Sequence, residues 1–239
     1  MLSKLPAWVG IGAFLLPFAG GAINVLMILG PLAVPVSHLT GNSSNLAIDL
    51  ARANISEAAH LFLLIATFIG GSVLSGFIIR DSSLKLGRRY GFSLLVETLL
   101  IVCAWSLYEA APAPAQLILS AACGLQNAMA TTYSGAVVRT THLTGIYTDL
   151  GILIGNRMAG IKPPKKKVKL FAALISGFLA GGLCAALAHP FWGRNALFLS
   201  ASVTFSMALA YFVYRAVSKH AHRAELLAEL AAETESEPR

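Results

Sequence analysis

Charged residues are scarce in this sequence. They make up 12% of its 239 residues, whereas hydrophobic residues make up 56% and the mean hydropathy is +0.70. Soluble domains carry about 25% charged residues, so this composition excludes a soluble globular protein and also a disordered or collagen-like chain. The chain has three cysteines, Cys103, Cys123 and Cys184, too few for a disulfide scaffold. All three lie in apolar stretches, and we expect them to be buried thiols.

Acidic residues are the rarer charged type, with 11 against 18 basic residues. An excess of positive charge is typical of nucleic-acid binding or of cytoplasmic loops beside a membrane. The basic run Lys162–Lys169 separates two apolar stretches, which favours a loop that contacts anionic lipid headgroups. We therefore predict membrane lipid as a partner and no nucleic acid.

Long stretches without charge divide the chain. A helix rises about 1.5 Å per residue, so about 20 apolar residues cross the hydrocarbon core of a bilayer. The longest charge-free stretch, Leu5–Ile48, exceeds one crossing. We predict an all-α membrane protein with six transmembrane helices, at about 8–30, 58–80, 91–111, 115–138, 168–190 and 194–216.

The distribution of basic residues predicts the orientation of these helices. With the N-terminus in the cytoplasm, 16 of the 18 basic residues fall in cytoplasmic segments, and only Arg52 and Arg194 lie outside. Such a bias is the positive-inside pattern, and it places both termini in the cytoplasm. We expect a single transmembrane domain over 1–218 and a cytoplasmic tail over 219–239, with a short helix over Ala224–Ala232 followed by a disordered acidic end.

An internal repeat is the most informative feature of the sequence. His38–Gly41 (His-Leu-Thr-Gly) recurs as His142–Gly145 at an offset of 104, and Gly21–Asn24 faces Gly124–Asn127 at an offset of 103. Further along, at an offset of 106, Gly71 and Gly76 face Gly177 and Gly182, all expected at close helix contacts together with Gly70 and Gly181.

The repeat divides the chain into halves of three spans each, about 1–112 and 113–218. Because three is odd, the second half enters the bilayer upside down, which is an inverted-topology repeat. Such repeats suit alternating access to a site between the halves. The alternative is duplication of a membrane bundle that has no transport role.

The connectors after the first and fourth spans are long and carry the repeated motif. We predict broken or re-entrant segments there, with the His-Leu-Thr-Gly turns dipping into the protein, where irregular backbone is tolerated. Gly41 and Gly145 are expected to form the turns. The predicted N-caps of the short helices that follow are Thr40 or Asn42, and Thr144 or Thr148.

These motifs resemble a known family. Gly21–Asn24, Thr40–Asn42, Gly124–Ala128 and Arg139–Gly145 are similar to the paired signatures of the YoaK family, bacterial inner-membrane proteins with a domain of unknown function. The resemblance covers about 10–215 and implies some six spans in a bacterial plasma membrane. It implies no settled activity. The family usually has Asp where this chain has Asn24, so the resemblance does not carry a proton-carrying role to that position.

Polar side chains within spans are costly and tend to face a cavity or a partner. Asn24, Gln126 and Asn127 are candidates either to bind a solute or to form hydrogen bonds between helices. Glu97, alone in the middle of the third span, is a candidate for proton coupling, with a satisfied hydrogen bond in the bundle as the alternative.

The repeated turns supply the remaining candidates. His38 and His142 can titrate near neutral pH and contact a solute, or they can close their turns by a local hydrogen bond. Arg139 can clamp an anionic group or extend to the membrane surface, and Asp149 can pair with Arg139 or with a cation. Thr40 and Thr144 complete the predicted solute-binding set.

We therefore predict a small-solute transporter or permease with its site between the repeats. The alternative is a non-transporting membrane scaffold or assembly partner. We expect no enzyme, because no nucleophile or cofactor motif is present, and no metal, because the histidine pair has no third ligand. A homodimer is plausible because six spans enclose a modest cavity.

Overall fold

The computed structural model describes residues 8–80, 88–134 and 139–236. Over these ranges the chain is helical, with no β-strand. The end of the predicted fourth span, 135–138, lies outside the described residues. The helices are α1 (Trp8–Leu29), α2 (Leu39–Ala51), α3 (Ile55–Ile79), α4 (Arg88–Leu107), α5 (Pro112–Ser134), α6 (Leu143–Met158), α7 (Lys165–Trp192) and α8 (Leu197–Ser236), with a 3-10 turn at Gly193–Ala196 between α7 and α8.

Four stretches of the described chain are long and apolar enough to cross a membrane. They are Gly10–Leu29, Ile55–Ile79, Arg89–Leu107 and Lys165–Val217. The last has 53 residues and contains two helices, α7 and the first half of α8. The predicted all-α membrane fold is confirmed at this level.

Helix α5 has 23 residues but is not among these stretches. Three amide side chains, Gln116, Gln126 and Asn127, lower its mean hydropathy, and all three are buried in the protein. A helix surrounded by other helices need not be apolar to the degree that a lipid-facing helix must.

Two pairs of long helices pack closely and run parallel. In the pair α1 and α7, Gly177 lies against Phe14 and Gly182 against Val25, so both helices advance in the same direction. In the pair α3 and α5, His60 is bonded to Gln116 (2.7 Å) and Ser72 donates to the Gly124 carbonyl (3.1 Å).

Helix α8 packs antiparallel to both α4 and α1. The hydroxyls of Thr98 and Thr204 are 2.8 Å apart, and the Trp105 indole donates to Asn195 (2.9 Å) just before α8 begins. On the other side, the Ser200 hydroxyl donates to the Ala19 carbonyl (2.9 Å), and Met207, further along α8, lies beside Gly12, nearer the start of α1. Thus α8, a helix of the second half, contacts two helices of the first half.

Glycines allow the two parallel pairs to approach backbone to backbone. A methyl group on any of five glycines would overlap the carbonyl group of the facing helix, and one of these is Gly177, which lies on Phe14. The other four contacts are Gly21 on Phe178, Gly124 on Phe68, Gly181 on Phe18 and Gly71 on Ala121. They form matched pairs, with an offset of 103 between α1 and α5 and of 110 between α3 and α7.

The sequence alignment that matched Gly71 with Gly177, at an offset of 106, is therefore wrong by one helical turn. The contacts match Gly71 with Gly181, four residues beyond Gly177. Gly70 and Gly76 have open space beside them, so neither is a site of close packing between the described helices.

Two further predictions are corrected. Helix α8 continues without a break to Ser236, so the tail does not contain a separate helix over Ala224–Ala232. Cys123 is buried, but Cys103 and Cys184 are exposed, because α4 and α7 turn those positions towards the outer surface of the bundle.

Candidate functional site

The repeated motif starts a short helix in each half of the chain. His38 is the N-cap of α2 (φ −90°, ψ 61°) and His142 is the N-cap of α6 (φ −89°, ψ 57°). The two turns therefore have the same backbone conformation, as well as the same sequence. In the described part of the chain, neither histidine side chain forms a capping hydrogen bond to its helix.

The glycine of the motif lies inside each helix, beneath the histidine ring. A methyl group on Gly41 would overlap the His38 ring, and one on Gly145 would overlap the His142 ring. The expected role of these glycines as turn residues is wrong. They provide room for the ring of the residue three positions earlier.

The predicted capping residues are also wrong, because each helix begins before them. Thr40 and Thr144 lie in the first turns with exposed side chains, and their carbonyls accept bonds from Ser44 (3.1 Å) and Thr148 (3.0 Å). Asn42 is buried and donates to the Pro35 carbonyl (2.8 Å).

An asparagine holds the residue that precedes each histidine. Asn24 donates to the Ser37 hydroxyl (2.6 Å) and accepts from the Ser37 N–H (3.0 Å). Asn127 donates to the Thr141 hydroxyl (2.8 Å) and accepts from the Thr141 N–H (3.1 Å). We call these two interactions the asparagine clamps. They fix each turn to α1 or α5.

Both turns reach α5 from opposite ends. The Val36 carbonyl of the first turn accepts from Ser120 (3.1 Å), and the Thr140 hydroxyl before the second turn donates to Gln126 (3.0 Å). Six residues of helix separate Ser120 from Gln126, or about 9 Å along the axis. The two turns therefore reach nearly the same depth in the helix bundle.

Other buried side chains that sequence reasoning did not single out support these turns. Gln116 donates to the Val34 carbonyl (2.5 Å), and the other glutamine of this helix, Gln126, donates to the Leu16 carbonyl (3.0 Å). Ser37 and Thr141 were also missed, although the sequence holds a signal for them. Both are hydroxyl residues at equivalent positions directly before the repeated histidine.

Glu97 lies in α4 with no exposed surface, and neither of its carboxylate oxygens has a hydrogen-bond partner among the residues that the structure describes. It faces α5 beside Cys123 and Gln126. One turn earlier on α4, the hydroxyl of Ser93 is also buried without a partner. Gln126 accepts a hydrogen bond from Thr140 and thereby anchors the second turn. The carboxyl group of Glu97 therefore lies next to this anchoring side chain.

The charged candidates of the second half lie near the surface. Arg139 is exposed. Asp149 forms an ion pair with Lys167 (3.6 Å) at the start of α7, and not with Arg139 as considered from the sequence. The first turn of α7 packs beside α6, which brings a lysine closer to this carboxylate than the arginine before α6.

The predicted site residues thus form two groups. Asn24, Glu97, Gln126 and Asn127 are buried in α1, α4 and α5. The residues of the turns and short helices, His38, Thr40, Arg139, His142, Thr144 and Asp149, are exposed or partly exposed. Within the described ranges, no three His, Cys, Asp or Glu side chains are placed to hold a metal ion.

Apolar helices of membrane-spanning length, packed around buried amides and two inserted turns, define a multi-pass membrane protein. The chain belongs to the DUF1275 family, proteins of unknown function, whose family model matches residues 12–210. The resemblance to a family with a domain of unknown function is thereby confirmed. No curated protein and no solved structure gives a significant match.

Proposed function

We propose that this protein is a six-span transporter of small solutes in the bacterial inner membrane, with Glu97 as its proton carrier. The helix directions support six crossings. Successive crossings alternate in direction, so crossings whose ordinal numbers are both odd or both even must run parallel. If α1, α3, α4, α5, α7 and α8 cross in that order, α1 with α7 and α3 with α5 must be parallel. The contacts agree with this, and α8 is antiparallel to α1 and α4 as required.

The packing also supports the inverted repeat. In the repeat, α1 corresponds to α5, α3 to α7 and α4 to α8. The contacting pair α1 and α7 therefore corresponds to the contacting pair α5 and α3, and the pair α4 and α8 corresponds to itself. The asparagine clamps are exchanged in the same way, Asn24 with Asn127 and Ser37 with Thr141. Such a pair of equivalent halves suits two alternative arrangements, one open to each side of the membrane.

The single observation that carries the transport proposal is the fully buried carboxyl group of Glu97, which lies beside the amide of Gln126 and has no basic side chain paired to it among the described residues. An ionised carboxylate in an apolar interior is very costly unless it is paired. Glu97 therefore holds a proton while it is buried, as in the arrangement described above, and releases the proton when water or a solute reaches it. Its neighbour Gln126 is bonded to Thr140, so a change of charge at Glu97 acts on the second turn.

Uptake into proteoliposomes over a panel of small metabolites tests this proposal. With an inward proton gradient we expect saturable uptake of at least one compound. Glu97→Gln should reduce uptake about 100-fold or more, the loss expected when a group used for proton transfer is removed. Glu57→Gln is the matched control, because Glu57 is an exposed glutamate in the first turn of α3. Equal uptake by Glu97→Gln and the wild type would contradict the proton-carrying role.

A specific observation favours a second candidate, the non-transporting membrane scaffold. Asn24, Gln126 and Asn127 all have hydrogen-bond partners within the protein, as expected for an interior that serves only to hold helices together. A scaffold of this kind never needs to admit water to α5.

The buried thiol of Cys123 distinguishes the two candidates. It faces Glu97, whereas Cys103 and Cys184 are exposed and can be replaced by serine. In that background, a transporter exposes Cys123 in one of its arrangements, so a water-soluble maleimide should label it slowly in membranes. Protection of Cys123 throughout, with labelling only after denaturation, would favour the scaffold.

A further inference from the structure

A groove opens at one end of the bundle, where α3 ends and α4 begins. It has a volume of about 570 Å³ and is lined by Phe77, Ile78, Arg80, Arg89, Phe92 and Phe212. This is within the range of about 300–1,000 Å³ that small-molecule sites occupy. None of the predicted solute-binding residues contributes to it.

The lining divides into a basic part and an apolar part. Arg80 caps the C-terminus of α3 and is exposed, and Arg89 is exposed in the first turn of α4. Arg89 also donates to the Ile79 carbonyl (3.5 Å), which holds its guanidinium group at the end of α3. The rest of the lining is hydrocarbon, with three phenylalanine rings, and it includes no acidic side chain among the described residues.

The position of the groove matches the depth of lipid phosphates. The apolar stretch of α3 ends at Ile79 and that of α4 begins at Arg89, so the two arginines lie where hydrocarbon gives way to headgroups. The phenylalanines lie on the hydrocarbon side. Phe77 and Phe92 are exposed on the outer surface, where acyl chains would contact them.

The geometry points to a binding site for one anionic phospholipid, with its phosphate between Arg80 and Arg89 and its acyl chains along Phe77, Phe92 and Phe212. Guanidinium groups bind phosphate oxygens in pairs, which lysine does not do. A free phosphate ion would use the arginines but gain nothing from the apolar walls. The inference does not depend on transport.

Native mass spectrometry of the protein in a neutral detergent tests the site. Phosphatidylglycerol and phosphatidylcholine with identical acyl chains are offered at equal concentration. We expect phosphatidylglycerol to be retained at least about tenfold better, and the double variant R80Q/R89Q to lose that preference, as removal of charge-assisted hydrogen bonds predicts. R89K should retain part of it, since the charge remains.

The matched control is R52Q. Arg52 is also an exposed arginine at a helix C-terminus, that of α2, and lies outside the groove. Equal loss in R52Q would mean that net charge, not the groove, sets the preference, and would overturn the proposal. So would equal retention of the two lipids, or displacement of phosphatidylglycerol by the same concentration of inorganic phosphate. The melting temperature of each variant shows that it is folded.

Discussion

At the scale of single residues, Asn24 and Asn127 are positions that the sequence predicted to be important without predicting what they do. The repeat placed Asn24 and Asn127 at equivalent points, and their burial and equivalence agree with that prediction. The sequence left open whether they bind a solute or hold the bundle. The side-chain geometry favours the second role, because each amide makes two hydrogen bonds to one turn residue, and Asn127 makes a third to the Cys123 carbonyl of its own helix.

Replacing one clamp gives the first stability prediction. Asn127→Ala leaves the Thr141 hydroxyl and N–H without their partner, which should lower the free energy of unfolding by about 1–3 kcal/mol. Hydrogen exchange at the Thr141 amide should become faster. Thr148→Ala is the control, because its exposed hydroxyl is bonded only to the carbonyl of Thr144 in its own helix. Unchanged exchange at Thr141 in Asn127→Ala would contradict the clamp.

The histidines of the motif show why some residue roles escape sequence reasoning. His-Leu-Thr-Gly contains a threonine and a glycine, the usual cap and turn residues, and it predicts a cap at Thr40 and Thr144. In the fold each helix begins one residue before its threonine, and the glycine accommodates a ring. Which residue starts a helix depends on how the preceding segment is held, here by asparagines 13 or 14 residues earlier.

At the scale of helices, hydropathy predicted every long helix to within a few residues, apart from the C-terminal extension of α8. A helix that crosses a membrane needs a long run of apolar residues, and such a run is visible directly in the sequence. The pairing between helices was harder. Glycines occur at several turns of α3 and α7. Gly177 and Gly181 both lie against the backbone of α1, and only the register of these contacts identifies Gly181 as the equivalent of Gly71 in the repeat.

Close backbone contact makes a sharp prediction about α7. Gly181→Ala places a methyl group on the Phe18 carbonyl of α1, so the helices must separate, at a cost of about 1–3 kcal/mol in the free energy of unfolding. Gly151→Ala in α6 is the matched control. It has open space beside it and should be neutral or stabilising by up to about 1 kcal/mol. Denaturation in detergent measures both, and equal stabilities of the two variants would contradict the contact.

At the scale of the whole molecule, the distribution of charge and the packing of helices both bear on how the chain crosses the membrane. The basic residues predict which side of the membrane each segment faces, whereas the packing predicts which helices run parallel. The two are independent, since none of the contacts that establish helix direction involves a lysine or an arginine. Both agree with the proposed chain of six crossings, in which α2 would lie on the outer side and α6 on the cytoplasmic side.

The resulting arrangement can be tested with one pair of cysteines. Asn45 in α2 and Lys162 before α7 are both exposed, and each can carry the single cysteine of a chain whose native thiols are replaced by serine. In intact cells, a maleimide that does not cross the membrane should label Asn45→Cys and leave Lys162→Cys unlabelled. After permeabilisation both should react, which controls for reactivity. Labelling of both, or of neither, in intact cells would place the two short helices on one side. The halves would then share the same orientation, and the parallel packing of α1 with α7 would need a different explanation.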